Sequence, residues 1–155
     1  MSRTTLVALH GISGAAALLT IATFWVSALT AELVLATPGV VAVRTAILYA
    51  LPVLVIAMMA AGATGTRLAG RSKAPVIRAK RGRTIITAAN GLFILVPAAV
   101  FLGLRAQAGL FDATFAAVQI VELAAGTVNI ALLSLNMKAG MAMRARRVRA
   151  GKTTA

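Results

Sequence analysis

Residues 4–31 carry no charged side chain, nor do 45–66 or 84–104, and from 113 to 137 only Glu122 interrupts. A bilayer core about 30 Å thick is crossed by roughly 20 apolar residues at about 1.5 Å rise each, so every one of these stretches is long enough. They predict an all-α integral membrane protein with helices near 6–33, 43–65, 84–106 and 114–138. Connections are short, so the reading is one domain over 1–155, a four-helix bundle with antiparallel, up-down neighbours. Composition points the same way. Hydrophobic residues make up 60% and charged residues 12%, against roughly 45–50% and about 25% in soluble domains; mean hydropathy is +0.92. Arg3 before an apolar stretch resembles a signal peptide. However, the charge-free stretch of 28 residues is too long for a signal core, and Leu29-Thr30-Ala31 is a poor cleavage site. It is read as a retained span.

Basic residues set the expected threading. The segment 67–83 holds Arg67, Arg71, Lys73, Arg78, Lys80, Arg81 and Arg83, and the tail 139–155 with Lys138 holds six more. The other side has only Arg44 and Arg105, so both termini are expected in the cytoplasm of a bacterial inner membrane. The net charge of +13 is thereby explained as a cytoplasmic face meeting anionic lipid headgroups, and no nucleic-acid partner is expected. Glu32 is expected to pair with Arg44 or Arg105 at the outer face, and Asp112 to cap the fourth helix.

Polar residues inside the spans mark faces that turn inward. On the first helix Ser13, Ala16, Thr20, Thr23, Ser27 and Thr30 recur at 3-4 spacing, within about a 100° arc. On the fourth, Gln119, Glu122, Gly126, Asn129, Leu133, Asn136 and Gly140 follow the same spacing. A charged residue at a span centre costs about 2.5–3.5 kcal/mol, so Glu122 is a functional candidate by default. Taking span centres at 19, 56, 94 and 125 puts Glu122 about 4–5 Å from the midplane. Thr23, Pro52 and Pro97 fall at a similar depth, and Asn90 and Asn129 lie together about 6 Å to the cytoplasmic side. The expected polar core is Glu122, Asn129, Asn90, Thr23, Gln119 and Asn136.

Zero cysteines exclude thiolate metal sites, and one histidine excludes a His pair. No Walker loop, Ser-His-Asp set or HExxH occurs, and no enzyme activity or metal site is expected. His10 lies near the cytoplasmic end of the first span at the depth of Met137 and Met141, so a haem b with His–Met ligation is geometrically conceivable, although no cofactor is the expectation. Cytochromes of the b561 type resemble this size and topology, but they hold haem with histidine pairs. The strings His10-Gly11-x-x-Gly14, Phe24-Trp25, Glu32, Ala89-Asn90-Gly91, Val121-Glu122-Leu123-x-Ala125-Gly126-x-x-Asn129 and Leu135-Asn136-Met137 resemble uncharacterised small four-helix transmembrane proteins of bacteria. That resemblance implies topology and setting, and no activity. The leading expectation is an accessory or self-associating helix-packing subunit, with a membrane-protein or homo-oligomeric partner. The alternatives are a Glu122-centred carrier or proton relay, and a haem- or quinone-binding redox protein using His10.

Overall fold

The computed structural model describes residues 1–153, and for Arg147, Val148 and 150–153 the backbone only. The chain forms helices α1 (Arg3–Val34), α2 (Thr37–Ala69), α3 (Pro75–Asn90), α4 (Val96–Gln107) and α5 (Ala113–Thr153). A single π turn, Gly91–Leu95, joins α3 and α4 into one rod, so four long apolar rods make a bundle. Each is long and apolar enough to cross a membrane. Of the predicted tail, residues 154–155 lie outside the described residues.

The helices overrun the expected spans. α2 continues to Ala69 and α3 begins at Pro75, so Arg78, Lys80, Arg81 and Arg83 stand on helix rather than in a loop. α5 runs 15 residues past the expected end at 138, to 153, about 22 Å further. Long basic side chains keep their heads in water while their stems lie along a helix, so charge marks the end of the apolar span and does not end the helix.

The turns are made by local chemistry. Two residues, Leu35 and Ala36, separate α1 from α2, and Pro38 occupies the first turn, where its missing N–H is harmless. Gly39 is required there, because a Cβ would lie 2.9 Å from that of Leu35. Asp112 caps α5 as expected: its carboxylate accepts from the Phe115 amide at 3.0 Å, and Arg105 donates to its other oxygen. Pro97 cannot donate to the carbonyl one turn back. The π turn directly before it takes up the mismatch, the Val96 amide bonding to the Gly91 carbonyl.

α1 packs on α2 and α5, α2 also on α4, and α5 also on α3 and α4. α2 and α5 are therefore diagonal; among the described residues their backbones do not approach within 8 Å. The core is built of small residues (Ala17, Ala28, Ala31, Ala98, Ala99, Ala106) with Ile21, Ile47, Leu54 and Leu102 between them. Large apolar side chains such as Ile12, Leu19, Ile56, Phe93 and Ile120 are turned outward. That inside-out arrangement suits hydrocarbon, where close backbone approach replaces the hydrophobic drive.

Candidate functional site

The α5 stripe meets three helices in turn, α2, α1 and α3. Glu122 binds Arg44 of α2, its carboxylate accepting from Nη1 at 2.5 Å. Gly126 receives Trp25 of α1, whose indole N–H donates to the Leu123 carbonyl at 2.9 Å. A Cβ at 126 would lie 2.9 Å from the indole Cδ1, so only glycine admits the ring. Asn129, fully buried, donates to the Thr87 carbonyl at 3.2 Å and accepts from Asn90 at 2.7 Å; Asn90 also donates to the Ala125 carbonyl at 2.8 Å. Asn136 donates to Thr84 Oγ1 at 3.1 Å and the Lys80 carbonyl at 3.4 Å. Leu133 packs against the core cluster of Ile21, Leu54 and Leu95.

Arg44 stands seven residues into α2, in the half nearer the α1–α2 turn, and is drawn into the bundle. It is 1% exposed and spans the diagonal between α2 and α5, with its guanidinium 5.8 Å from the Phe115 ring centroid. The expected ion pair of Glu32 is overturned. Arg44 pairs with Glu122 and Arg105 with Asp112, leaving Glu32 Oε1 buried without a hydrogen-bond partner. The Arg44–Glu122 pairing follows from the full length of the rods, which run beyond the charge-free stretches. The middles of the helices as built are residue 53 for α2 and about 130 for the 113–146 part of α5. Nine and about 7.5 residues from these, Arg44 and Glu122 stand ~13 and ~11 Å along their rods, nearly level. Centres drawn from charge-free stretches separated the two by roughly 13 Å. The same correction moves Asn90 and Asn129 to the middle of the bundle.

Thr23 is not brought into the polar core; it is exposed, as is Thr30. The buried face of α1 runs through Ser13, Ala17, Ile21, Ala28 and Ala31. At about 100° per residue, the hydroxyl seam is centred about a quarter turn away from it. Hydroxyls bond to their own helix, as Ser27 does to the Phe24 carbonyl at 3.1 Å, so this seam does not have to point inward. Gln119 lies between Phe115 and Glu122 on the α5 face that meets Arg44, half-buried, with Oε1 unpartnered.

His10 is committed to α2. A carbonyl only accepts, so Nδ1 carries the proton and donates to the Ala61 carbonyl at 3.0 Å, with Thr64 Oγ1 at 3.2 Å. The ring lies over Gly65, where a Cβ would be 3.0 Å from Cε1. Met137 is half-buried and Met141 is 57% exposed. Among the described residues, no three of His, Cys, Asp and Glu stand together as a metal site would need.

Beside Glu122 the bundle has a partly open cavity of about 40 Å³, walled by Phe24, Trp25, Ile47, Leu51 and Leu95. That is the volume of three or four waters at about 10–15 Å³ each. Among the described residues Arg44 Nε and Nη2 have no partner, so the ion pair is only half satisfied by the chain itself. Comparisons with protein families, curated proteins and solved structures find no match.

Proposed function

We propose that this chain is a small multi-pass protein of a bacterial inner membrane, an accessory or self-associating subunit without catalysis of its own. Its helices run up and down as an antiparallel bundle with both termini cytoplasmic. The observation that carries the reading is how the polar side chains are used. Those of α5 bind the chain's own helices, whereas Thr23 and Thr30 of α1 stand on the outside. Exposed hydroxyls on a transmembrane helix are suited to hydrogen-bonding a neighbouring helix. The topology is supported by contacts linking His10, early in α1, to Thr64, late in α2, and by the charge asymmetry. Both basic residues of the opposite end are paired with acids, Arg44 with Glu122 and Arg105 with Asp112, which sharpens that asymmetry.

The chain has no cysteine, so single cysteines report cleanly. Thr23→Cys is expected to crosslink in native membranes to a second copy or to a partner, and Val7→Cys, exposed about 160° round α1 from Thr23, much less. A strictly monomeric protein in mild detergent, with no crosslink from Thr23→Cys in membranes, refutes the reading. Ser72→Cys and Gly109→Cys test the threading: an impermeant thiol reagent applied outside intact cells is expected to label only the second.

A second reading, the Glu122-centred relay, is favoured by one observation, a buried ion pair whose carboxylate borders a cavity of about 40 Å³. Proton leak in protein-containing vesicles that is unchanged by Glu122→Gln removes it.

A further inference from the structure

Where α2 turns into α3, the chain forms a hollow of about 380 Å³ lined by Arg71, Ser72, Lys73, Ile77, Arg78 and Arg81. Four of these six side chains are cationic, and all four are exposed. No Asp or Glu occurs anywhere between Leu33 and Phe111, so no local carboxylate offsets them. The nearest acids are engaged elsewhere. Asp112 pairs with Arg105 at the far end of the α3–α4 rod, about 45 Å from Pro75 at 1.5 Å per residue, and Glu122 pairs with Arg44. Screening at physiological salt acts over about 8 Å, so neither reaches the hollow.

A patch of topogenic charge needs only sign and position. This one is also concave, lined by two cations of the turn, Arg71 and Lys73, two of the first turns of α3, Arg78 and Arg81, and one apolar side chain, Ile77. Arginine forks match phosphate oxygens in pairs, which a diffuse lysine surface does not. The turn joins two membrane-capable rods, so it emerges at headgroup level whichever way the bundle is threaded.

We infer that the hollow between α2 and α3 binds a phosphate group, carried either by an anionic lipid headgroup or by a soluble phosphate. The inference rests on the membrane reading above only for the lipid source. Each basic residue near an anionic surface is worth about 1 kcal/mol, so removing two is expected to weaken binding roughly 30-fold.

The test uses full-length protein in mild detergent at fixed ionic strength, titrated with short-chain phosphatidylglycerol, phosphatidylcholine or inorganic phosphate and read by native mass spectrometry. Arg78→Gln/Arg81→Gln is compared with Arg144→Gln/Arg146→Gln, which removes the same charge from exposed positions on α5. The expected result is a roughly 30-fold loss of phosphatidylglycerol affinity in the first pair, under about 3-fold in the second, and no phosphatidylcholine binding. Inorganic phosphate that competes in a manner dependent on Arg78 and Arg81 assigns the site to free phosphate, and its failure to compete assigns it to lipid. Equal losses in the two pairs, or no loss in either, overturn the site. Release of the wild type from membranes by alkaline carbonate is a separate outcome; it sinks the membrane reading without touching phosphate binding by the hollow.

Discussion

Removing Glu122 should damage the bundle more than removing Arg44, although the two side chains share one contact. With charge centres about 4 Å apart and an effective dielectric near 20, the pair attracts by about 4 kcal/mol. Breaking a buried pair from one side typically costs 3–5 kcal/mol. The stranded partners differ in their surroundings. The Glu122 side chain is 12% exposed and borders the cavity, so water can reach a carboxylate left by Arg44→Met. The Arg44 side chain is 1% exposed, and a guanidinium left there without its carboxylate is a buried unpaired charge. After Glu122→Leu, Arg44 would also lose the one hydrogen bond its guanidinium makes in the protein, Nε and Nη2 being unpartnered already. The expected order at pH 7 is therefore Glu122→Leu at about 4–5 kcal/mol and Arg44→Met at about 3–4, with the Arg44→Met/Glu122→Leu double variant within about 1 kcal/mol of wild type. The assay is unfolding by SDS in mixed micelles followed by Trp25, the sole tryptophan, which is seated on α5. A double variant as unstable as the worse single one, or an Arg44→Met deficit larger than that of Glu122→Leu, refutes the reasoning.

Three further outcomes are expected. Gly126→Val forces the Trp25 ring off α5, costing about 1–3 kcal/mol by overpacking, and should red-shift the single-tryptophan emission; an unchanged spectrum contradicts the fit. Asn90→Leu and Asn129→Leu should couple by about 0.6 kcal/mol, the mean for interhelical hydrogen bonds in membranes, and strict additivity denies the pair. The Asp112 carboxyl is held below the ordinary aspartate value, first by the Phe115 amide, against an opposing desolvation, and further by Arg105 and the Thr114 amide. Its stabilisation is therefore present above the unfolded-state value and is lost as pH falls through the lower folded-state value. The stability gap between wild type and Asp112→Ala should be constant near neutrality and close in acid; a gap that widens in acid reverses the sign.

Four membrane-capable helices were legible in the chain because they follow from length and charge alone: residues 4–31, 45–66, 84–104 and 113–137 leave few other folds open. The inward face of α5 was legible for a related reason. Gln119, Glu122, Asn129 and Asn136 recur at helical spacing, and amide and acid groups are costly against lipid. Thr23 misled because a hydroxyl bonds to its own helix, so its presence says little about which way a helix faces. The Asp112 cap is local and could be read from three residues.

What the sequence could not determine is which helix each polar residue would meet. That depends on the relative sliding of the rods, and the helices run several turns beyond the apolar stretches from which their centres were drawn. Sliding brought Arg44 level with Glu122, whereas Asn90 and Asn129, already at one depth in the sequence, stayed together and moved to mid-bundle. It also seated Trp25 on Gly126, a contact 101 residues apart along the chain (126 − 25) with no signature in either segment. Composition and periodicity decide which face of a helix turns inward. Only the packed bundle decides its register, because register is set by small-residue fits at Gly65, Gly103 and Gly126 that have meaning only once a neighbouring helix is present.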